Sequence, residues 1–242
     1  IDAIGSRALP AAGMTISVPK ITTSGTVAET AEAAAPSETG IVSSYVNLTV
    51  KKYAGLQRYS LEVLERSSPD FFQAMLENMT RAYNKATDAA VIAALTAGGA
   101  QANPQAATSN GLIAYVAEQA PAAYLATGEL ATAYIAGTGQ WNLLIGAKDT
   151  TDRPIYTASQ PMNAAGQASP RSLRGNVLGL DLYVDPNAVS TVIDESAFIV
   201  VPSAVSIYES PILRLSTNIP TTGEIETSLY GYMAVGVLVA GG

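Results

Sequence analysis

The longest regular pattern of hydrophobic positions in the chain predicts a helix over residues 69–97. Apolar side chains recur there at steps of three and four residues, which places them on one helical face. These residues are Phe72, Met75, Leu76, Met79, Tyr83, Ala86, Ala90 and Ala93. A capping serine, Pro69 and an acidic residue open the pattern, and a pair of glycines beginning at Gly98 ends it. At 1.5 Å per residue this helix is about 40 Å long, so we expect it to span an elongated domain.

Before this helix, strand-like alternation predicts a long β-hairpin over residues 15–52. Ile16 and Val18 mark its first strand, and Val46, Leu48 and Val50 mark its second. The tip between the strands is acidic, with Glu29, Glu32 and Glu38. Because an isolated hairpin is marginally stable in water, this ribbon needs a surface on which to lie. The pattern is therefore the first indication that the protein assembles.

The remaining pattern mixes helices and strands without the regular spacing of βαβ units, which predicts an α+β fold. Residues 1–14 show no clear period and are expected to form an arm, and residues 100–108 are a plausible linker between domains. The polar stretch 157–175 is expected to be an exposed loop. The predicted helices cover residues 60–67, 109–126 and 140–145. The predicted strands cover residues 132–136, 177–184, 197–201, 212–216 and 229–239.

The amino-acid composition excludes most enzyme classes as functions of this chain. The 242 residues are 48% hydrophobic, enough to bury a sizeable core, and contain neither cysteine nor histidine. The chain therefore lacks thiolate nucleophiles, disulfides, the commonest metal ligand and the commonest general base at neutral pH. A net charge of −7 disfavours a dedicated DNA-binding protein. With no signal peptide and no run of ~20 apolar residues, we expect a soluble chain.

The remaining candidates for chemistry have ordinary structural explanations. Ser17 and Lys20 have Ser-x-x-Lys spacing, but a strand cannot place both side chains on one face. Gly137-Thr138-Gly139 is better explained as a turn from a strand into a helix than as a nucleotide-binding loop. Trp141 is expected to be a core anchor.

The charged residues are the last candidates for catalytic or binding chemistry. A carboxylate-based hydrolase would need a close pair of acids, and the available ones lie near strand ends, where solvated turns explain them. These acids are Asp181, Asp185, Asp194 and Glu195. Arg171 and Arg174 lie in a loop, where solvation and a partner contact both remain open. We therefore expect no catalytic, cofactor-binding or metal-binding residues, and no enzyme.

The order of these elements resembles the major capsid proteins of tailed phages of the Hong Kong ninety-seven (HK97) type. The resemblance begins with the strand at Val18-Pro19-Lys20, the acidic hairpin at Thr26-Val27-Ala28-Glu29, and the return through Lys51-Lys52. It continues through Ser60-Leu61-Glu62-Val63 into the long helix. It then extends through Gln140-Trp141-Asn142, Arg153-Pro154-Ile155 and Val177-Leu178-Gly179-Leu180. Each motif alone is loose, but the ordered set covers nearly the whole chain.

The resemblance implies an HK97-like capsid fold with four parts. Residues 1–14 would be the N-terminal arm and 15–52 an extended loop lying over a neighbouring subunit. Residues 53–104 and 205–242 would form a peripheral domain holding the spine helix, and 105–204 an axial domain. Because the chain starts at Ile1, the family implies either removal of an N-terminal scaffolding segment or disorder before it.

The implied function is a major capsid protein that self-assembles, as hexamers and pentamers, into an icosahedral shell around double-stranded DNA. The implied location is the virion, after assembly in the bacterial cytoplasm. Portal, scaffolding and decoration proteins are the implied partners, and DNA is enclosed without sequence-specific binding. Some family members join subunits through a lysine in the extended loop, but residues 32–38 contain none, so we expect no such cross-link. An encapsulin-like nanocompartment shell is the alternative within the same fold.

Overall fold

The computed structural model describes residues 1–23, 25–36, 38, 40–66, 70–100, 102–106, 108–146, 176–188 and 197–242. The helices are α1 (Leu61–Arg66), α2 (Asp70–Gly98), α3 (Ser109–Thr127) and α4 (Thr138–Gly146). The first strands are β1 (Arg7–Ala8), β2 (Thr15–Thr23), β3 (Val42–Thr49), β4 (Lys51–Ser60) and β5 (Ala133–Ala136). The later strands are β6 (Asn176–Val177), β7 (Leu180–Val184), β8 (Ala197–Val200), β9 (Val205–Glu209), β10 (Leu213–Ile219) and β11 (Glu224–Val237).

The longest strand, β11, organises the largest sheet. It pairs antiparallel with β4, β9 and β10, and β1 adds to β9 in parallel. Its residues alternate between buried and half-buried positions, as expected for a strand with one face on a core. Gly231 lies on the buried face beneath α2, where a Cβ atom would collide with the hydroxyl of Tyr83. The absence of a side chain there lets the helix approach the sheet closely.

A smaller sheet has the order β6-β7-β5-β8 and is covered on both faces. All four residues of β5 are buried. Ala133 and Ile135 join the central core, which also contains Val91, Ile92 and Leu95 of α2. The alternate residues of β5 join an outer core with α3 and α4. Burial on both faces explains why this strand is a continuous apolar run rather than an alternating one.

The predicted hairpin is present as a two-stranded sheet of β2 and β3. Its inner face contributes Val18 and Leu48 to a hairpin core that also contains Val50 and Ala234. The ladder begins with Thr15 opposite Thr49, so the prediction of a hairpin reaching residue 52 extends too far. Lys51 and Lys52 belong to β4, which pairs with β11.

The long helix is confirmed, although its buried face changes along its length. Met79 is buried and Tyr83 is half-buried, as the pattern predicts, but Ala86 and Ala93 are exposed. The second half buries Val91 and other residues that the three-and-four pattern did not select: Thr87, Ile92 and Leu95. An α-helix has 3.6 residues per turn, so a strict step pattern drifts off the buried stripe over 29 residues.

Other element predictions differ mainly at their boundaries. The predicted helix over 109–126 is α3, and Pro121 lies inside it. The predicted strand over 177–184 is two strands, β6 and β7, joined by a tight turn at Leu178-Gly179. The predicted strand over 229–239 begins five residues earlier, at Glu224. Strands β4 and β9 were not predicted, and the loop predicted over 157–175 lies outside the described residues.

Candidate assembly surfaces

The outer face of the hairpin exposes large apolar side chains. Tyr45 is opposite Pro19 in the ladder, and Ile21 is opposite Ser43. Tyr45 is 68% exposed and Ile21 is 63% exposed. These residues alternate with the inward-facing side chains of the hairpin core, so the ribbon has one face on its own chain and one apolar face towards solvent. We call Pro19, Ile21 and Tyr45 the hairpin surface.

A second apolar surface lies on the large sheet, on the face opposite α2. Leu56 of β4 and Leu215 of β10 both pair with Ser228 of β11, so the three side chains form one row across the sheet. Leu213 pairs with the next residue on that face, Tyr230. The exposed fractions are 57% for Leu56, 47% for Leu213 and 58% for Leu215. We call these three leucines the sheet surface.

Charged groups border the sheet surface. Arg58 pairs across the strands with Glu226 and lies 3.8 Å from Glu224. The hydrogen bond with Glu226 and the negative charge of Glu226 raise the pKa of the Arg58 guanidinium, which therefore stays charged. Lys52 lies 4.8 Å from the centre of the Tyr230 ring. Since Arg58 is exposed, this ion pair contributes little to the free energy of unfolding. Its clearer consequence is a polar rim around the leucines of the sheet surface.

A third group of exposed apolar residues lies at one end of the small sheet. The Asp181 amide donates a hydrogen bond to the Thr132 carbonyl at 2.8 Å, which brings the segments before β5 and β7 to the same end. Leu130 precedes β5 and is 73% exposed, and Leu178 precedes β7 and is 59% exposed. Leu178 also has a φ of 51°, an unfavourable backbone conformation for a leucine. We call Leu130 and Leu178 the turn surface.

Sequence reasoning identified the hairpin as an assembly element but missed the sheet surface. Strand β4 was not recognised, although Ala54, Leu56 and Arg58 alternate with residues of the opposite face. That alternation is a weak signal, because it mixes apolar residues with Arg58 and residues 54–58 are all exposed. The segment is a strand only because it pairs with β11, whose Glu226 lies 168 residues after Arg58 in the sequence.

The structure separates the residues considered for chemistry. Ser17 donates a hydrogen bond to the Asn47 side chain at 2.7 Å, and Lys20 lies three positions along β2, on the opposite face. Asp181 is in β7, whereas the Asp185 carboxylate accepts a hydrogen bond from the Asn187 amide at 2.7 Å, as in an ordinary turn. Asp181 and Asp185 therefore do not form a pair of acids suited to hydrolysis.

The other candidates have structural roles or lie outside the description. Gly137 and the start of α4 form the predicted strand-to-helix turn, and Trp141 packs against the outer core. Asp194, Glu195, Arg171 and Arg174 lie outside the described residues. Within the described ranges, no group of three or more acidic side chains is placed to hold a metal ion. Among the described helices, none combines the length and apolar character needed to cross a membrane.

Comparison with known proteins assigns the chain to a family. The model of the family described as phage capsid protein matches residues 44–241. The chain therefore belongs to the phage capsid protein family. No curated protein sequence matches the chain.

Solved structures share the fold at low sequence identity. A chain from Microbacterium phage Oxtober96 is 15% identical with a TM-score of 0.70, over 98% of this chain and 84% of that one. A chain from Mycobacterium phage Che8 is 14% identical with a TM-score of 0.71, over 96% and 83%. A chain from the capsid of an empty GTA particle computed with C5 symmetry is 13% identical with a TM-score of 0.71, over 98% and 84%. These similarities identify the fold.

The fold is the α+β, HK97-like capsid fold that the order of sequence elements predicted. The protein is a phage major capsid protein, a component of the virion whose copies build the shell. Membership of the phage family does not favour the encapsulin-like alternative.

Proposed function

We propose that this protein assembles through its hairpin into hexamers and pentamers, and that these close an icosahedral shell around double-stranded DNA. The observation that carries the proposal is the hairpin surface. A two-stranded ribbon that exposes Tyr45 by 68% and Ile21 by 63% has apolar area to bury against another copy. Permanent assemblies bury such area in interfaces of thousands of Å².

The domain assignment follows the same proposal. Residues 15–49, the observed hairpin within the predicted 15–52 segment, are the extended loop over a neighbouring subunit, and residues 1–14 are the arm. Lys51 and Lys52 belong to the peripheral domain, because β4 pairs with β11. Residues 53–104 and 205–242 are the peripheral domain, and residues 105–204 are the axial domain, whose loops meet around the symmetry axes. The sheets support this division, because β4, β10 and β11 lie in one sheet, and β5, β7 and β8 lie in the other. The central core joins the two domains, since it contains Val91 and Met233 of the first and Ala133 of the second.

The remaining parts of the proposal concern partners and location. Assembly takes place in the cytoplasm of a bacterial host, with portal, scaffolding and decoration proteins as partners. The protein has a structural rather than an enzymatic role and binds neither a cofactor nor a membrane. Its net charge of −7 supports enclosure of DNA without sequence-specific binding, because protein–DNA affinity comes largely from cationic contacts with phosphate.

The test is assembly of a variant with the double substitution Ile21→Ser and Tyr45→Ser, expressed together with the neighbouring phage genes. Burial of each side chain is worth about 1.5–3 kcal/mol. Loss of roughly 3 kcal/mol per contact raises the protein concentration needed for assembly by about 100-fold. Electron microscopy and sedimentation measure closed particles against free subunits over a concentration series.

Ser43→Ala is the matched control, because Ser43 is exposed on the same hairpin and pairs with Ile21. We expect this control to assemble at the wild-type concentration. An unchanged assembly threshold in the double variant would show that the hairpin surface is not an interface. Wild-type protein that remains a monomer with all its gene neighbours would contradict the shell proposal itself.

A further inference from the structure

The tight turn that joins β6 to β7 places a leucine in an unfavourable backbone conformation. Val177 pairs with Leu180, so Leu178 and Gly179 form a two-residue turn between the strands. Both turn residues have a positive φ, 51° at Leu178 and 93° at Gly179. Turns of this kind usually begin with asparagine, aspartate or glycine, because the Cβ atom of other residues is crowded by the following carbonyl oxygen. The backbone alone therefore does not explain a leucine at position 178.

Packing within the subunit does not explain this leucine either. Its neighbours Val177 and Leu180 are 4% and 5% exposed and hold the turn in the outer core. Leu178 is 59% exposed and belongs to none of the three described cores. Strained residues persist mainly where their side chains serve a function, as in switches and ligand contacts. The strain at Leu178 therefore indicates a role for its side chain outside the subunit.

Leu130 lies at the same end of the small sheet as this turn. Ala133 of β5 pairs with Asp181 of β7, and Leu130 and Leu178 each precede their own member of that pair by the same number of residues. The hydrogen bond from the Asp181 amide to the Thr132 carbonyl extends the parallel pairing towards both leucines. Leu130 is 73% exposed. The turn surface thus presents two leucine side chains to solvent at one end of the small sheet.

The size of the turn surface limits which partner can cover it. An interface that forms by itself buries about 1,000 Å² or more. Two partly exposed leucines supply only a fraction of that area, so they cannot hold a free partner on their own. The partner must be kept next to them by contacts elsewhere on the molecule. Other copies of this chain meet that condition, because copies of it build the shell.

We propose that the turn surface of one copy is buried against a neighbouring copy in the shell. Leu178 keeps its strained backbone because its side chain fills that contact, so a cost in the free subunit serves the assembled shell. This inference rests on the proposed shell assembly and adds to it a contact made by the small sheet, separate from the hairpin surface. It predicts that relieving the strain with a polar residue stabilises the free subunit and weakens assembly.

The first test measures both effects in one variant, Leu178→Asn, because asparagine tolerates a positive φ and is polar. Expressed together with the neighbouring phage genes, this variant should need about a ten-fold higher protein concentration to form closed particles, since the exposed part of the leucine is no longer buried. Its free subunit should resist urea better than the wild type. A purely structural role would not move the two measurements in opposite directions. Leu178→Met is the matched control, because it keeps an apolar side chain on the same backbone, and it should assemble at the wild-type concentration.

The second test detects burial of the turn surface directly. The chain contains no cysteine, so Leu178→Cys introduces a single thiol. Alkylation by iodoacetamide requires an accessible thiolate, so the reaction should be slower by about ten-fold or more in closed particles than in the free subunit of the same variant. Leu130→Cys should show the same protection, because both leucines belong to one surface.

The outcomes separate this contact from shell assembly itself. Equal alkylation rates in particles and free subunits, or an unchanged assembly threshold in Leu178→Asn, would overturn this inference and leave the shell proposal intact. Protection that arises only after a different virion protein binds the particles would also overturn it, because the partner would then not be a copy of this chain. Wild-type protein that forms no particles with all its gene neighbours would remove the shell proposal, and this inference with it.

Discussion

The substitution Leu48→Ala should release the hairpin from the body of the subunit without unfolding the rest. Leu48 is only 4% exposed and packs with Val18, Val50 and Ala234 in the hairpin core. Its side chain also fills the space left by Gly236, where a Cβ atom would collide with it. Among the described strands, β2 and β3 pair only with each other. The hairpin core is therefore the main attachment of the ribbon.

The size of the effect follows from the cavity that the substitution leaves. Truncating a buried leucine to alanine costs about 2–5 kcal/mol. If that free energy is lost from hairpin docking alone, the equilibrium constant for local opening rises between about 30-fold and a few thousand-fold, at roughly 1.4 kcal/mol per factor of ten. The central core does not contain Leu48, so its opening should change little.

Hydrogen–deuterium exchange of the free subunit, followed by mass spectrometry, measures this directly. Peptides from β2 and β3 should exchange faster by about 30-fold to a few thousand-fold, as worked out above. Peptides from α2 and β5 should keep the wild-type rate. Ser17→Ala is the matched control, because it removes only the exposed hydrogen bond with Asn47 from the outer face of the same ribbon. A parallel rise of exchange in α2 would refute the reasoning, because the hairpin would then open only with the whole subunit.

Two further predictions concern the turn surface and the buried tyrosines. Leu178→Asn should raise the free energy of unfolding by about 1 kcal/mol in urea denaturation, because asparagine tolerates a positive φ that leucine does not. The control Leu130→Asn, at a residue that is also exposed but has no positive φ, should bring no gain, and a loss of stability in Leu178→Asn would contradict the assignment of strain. Stability should also fall as the pH rises above 10, because burial raises the pKa values of Tyr115 and Tyr134 in the folded state and only the unfolded chain then ionises. The urea midpoint should therefore be lower at pH 11 than at pH 9, with a smaller drop in Tyr134→Phe, and an equal drop in both proteins would exclude Tyr134 as a cause.

The elements that the sequence predicts well are those whose signals are local. The apolar repeat of α2 and the glycine that ends it both lie within its own 29 residues. The strand β5 is a short apolar run between two cores, and its burial on both faces explains its lack of alternation. The hairpin shows its alternation in both strands, and its need for a support is apparent from its low number of core residues.

The elements that the sequence does not predict depend on distant partners. Strand β4 exists because it pairs with β11, and strand β9 because it lies between β1 and β11. Polar residues dominate the exposed face of β4, so its hydrophobic pattern is weak without knowledge of the pairing. The same holds for the outer core, because its residues come from α3, β5, α4, β6 and β7, which are far apart in sequence.

The two apolar surfaces left exposed within one chain favour contacts that add further copies over a simple pair. The residues of the hairpin surface and the sheet surface remain about half exposed or more, so neither surface covers the other within the subunit. They also differ in composition, because the hairpin surface consists of Pro19, Ile21 and Tyr45 and the sheet surface consists of three leucines. A contact between two different surfaces is heterologous: each copy that binds a neighbour leaves its other surface free for the next copy. Such contacts close into rings when the rotation between copies permits, so two different surfaces are compatible with the hexamers and pentamers proposed above.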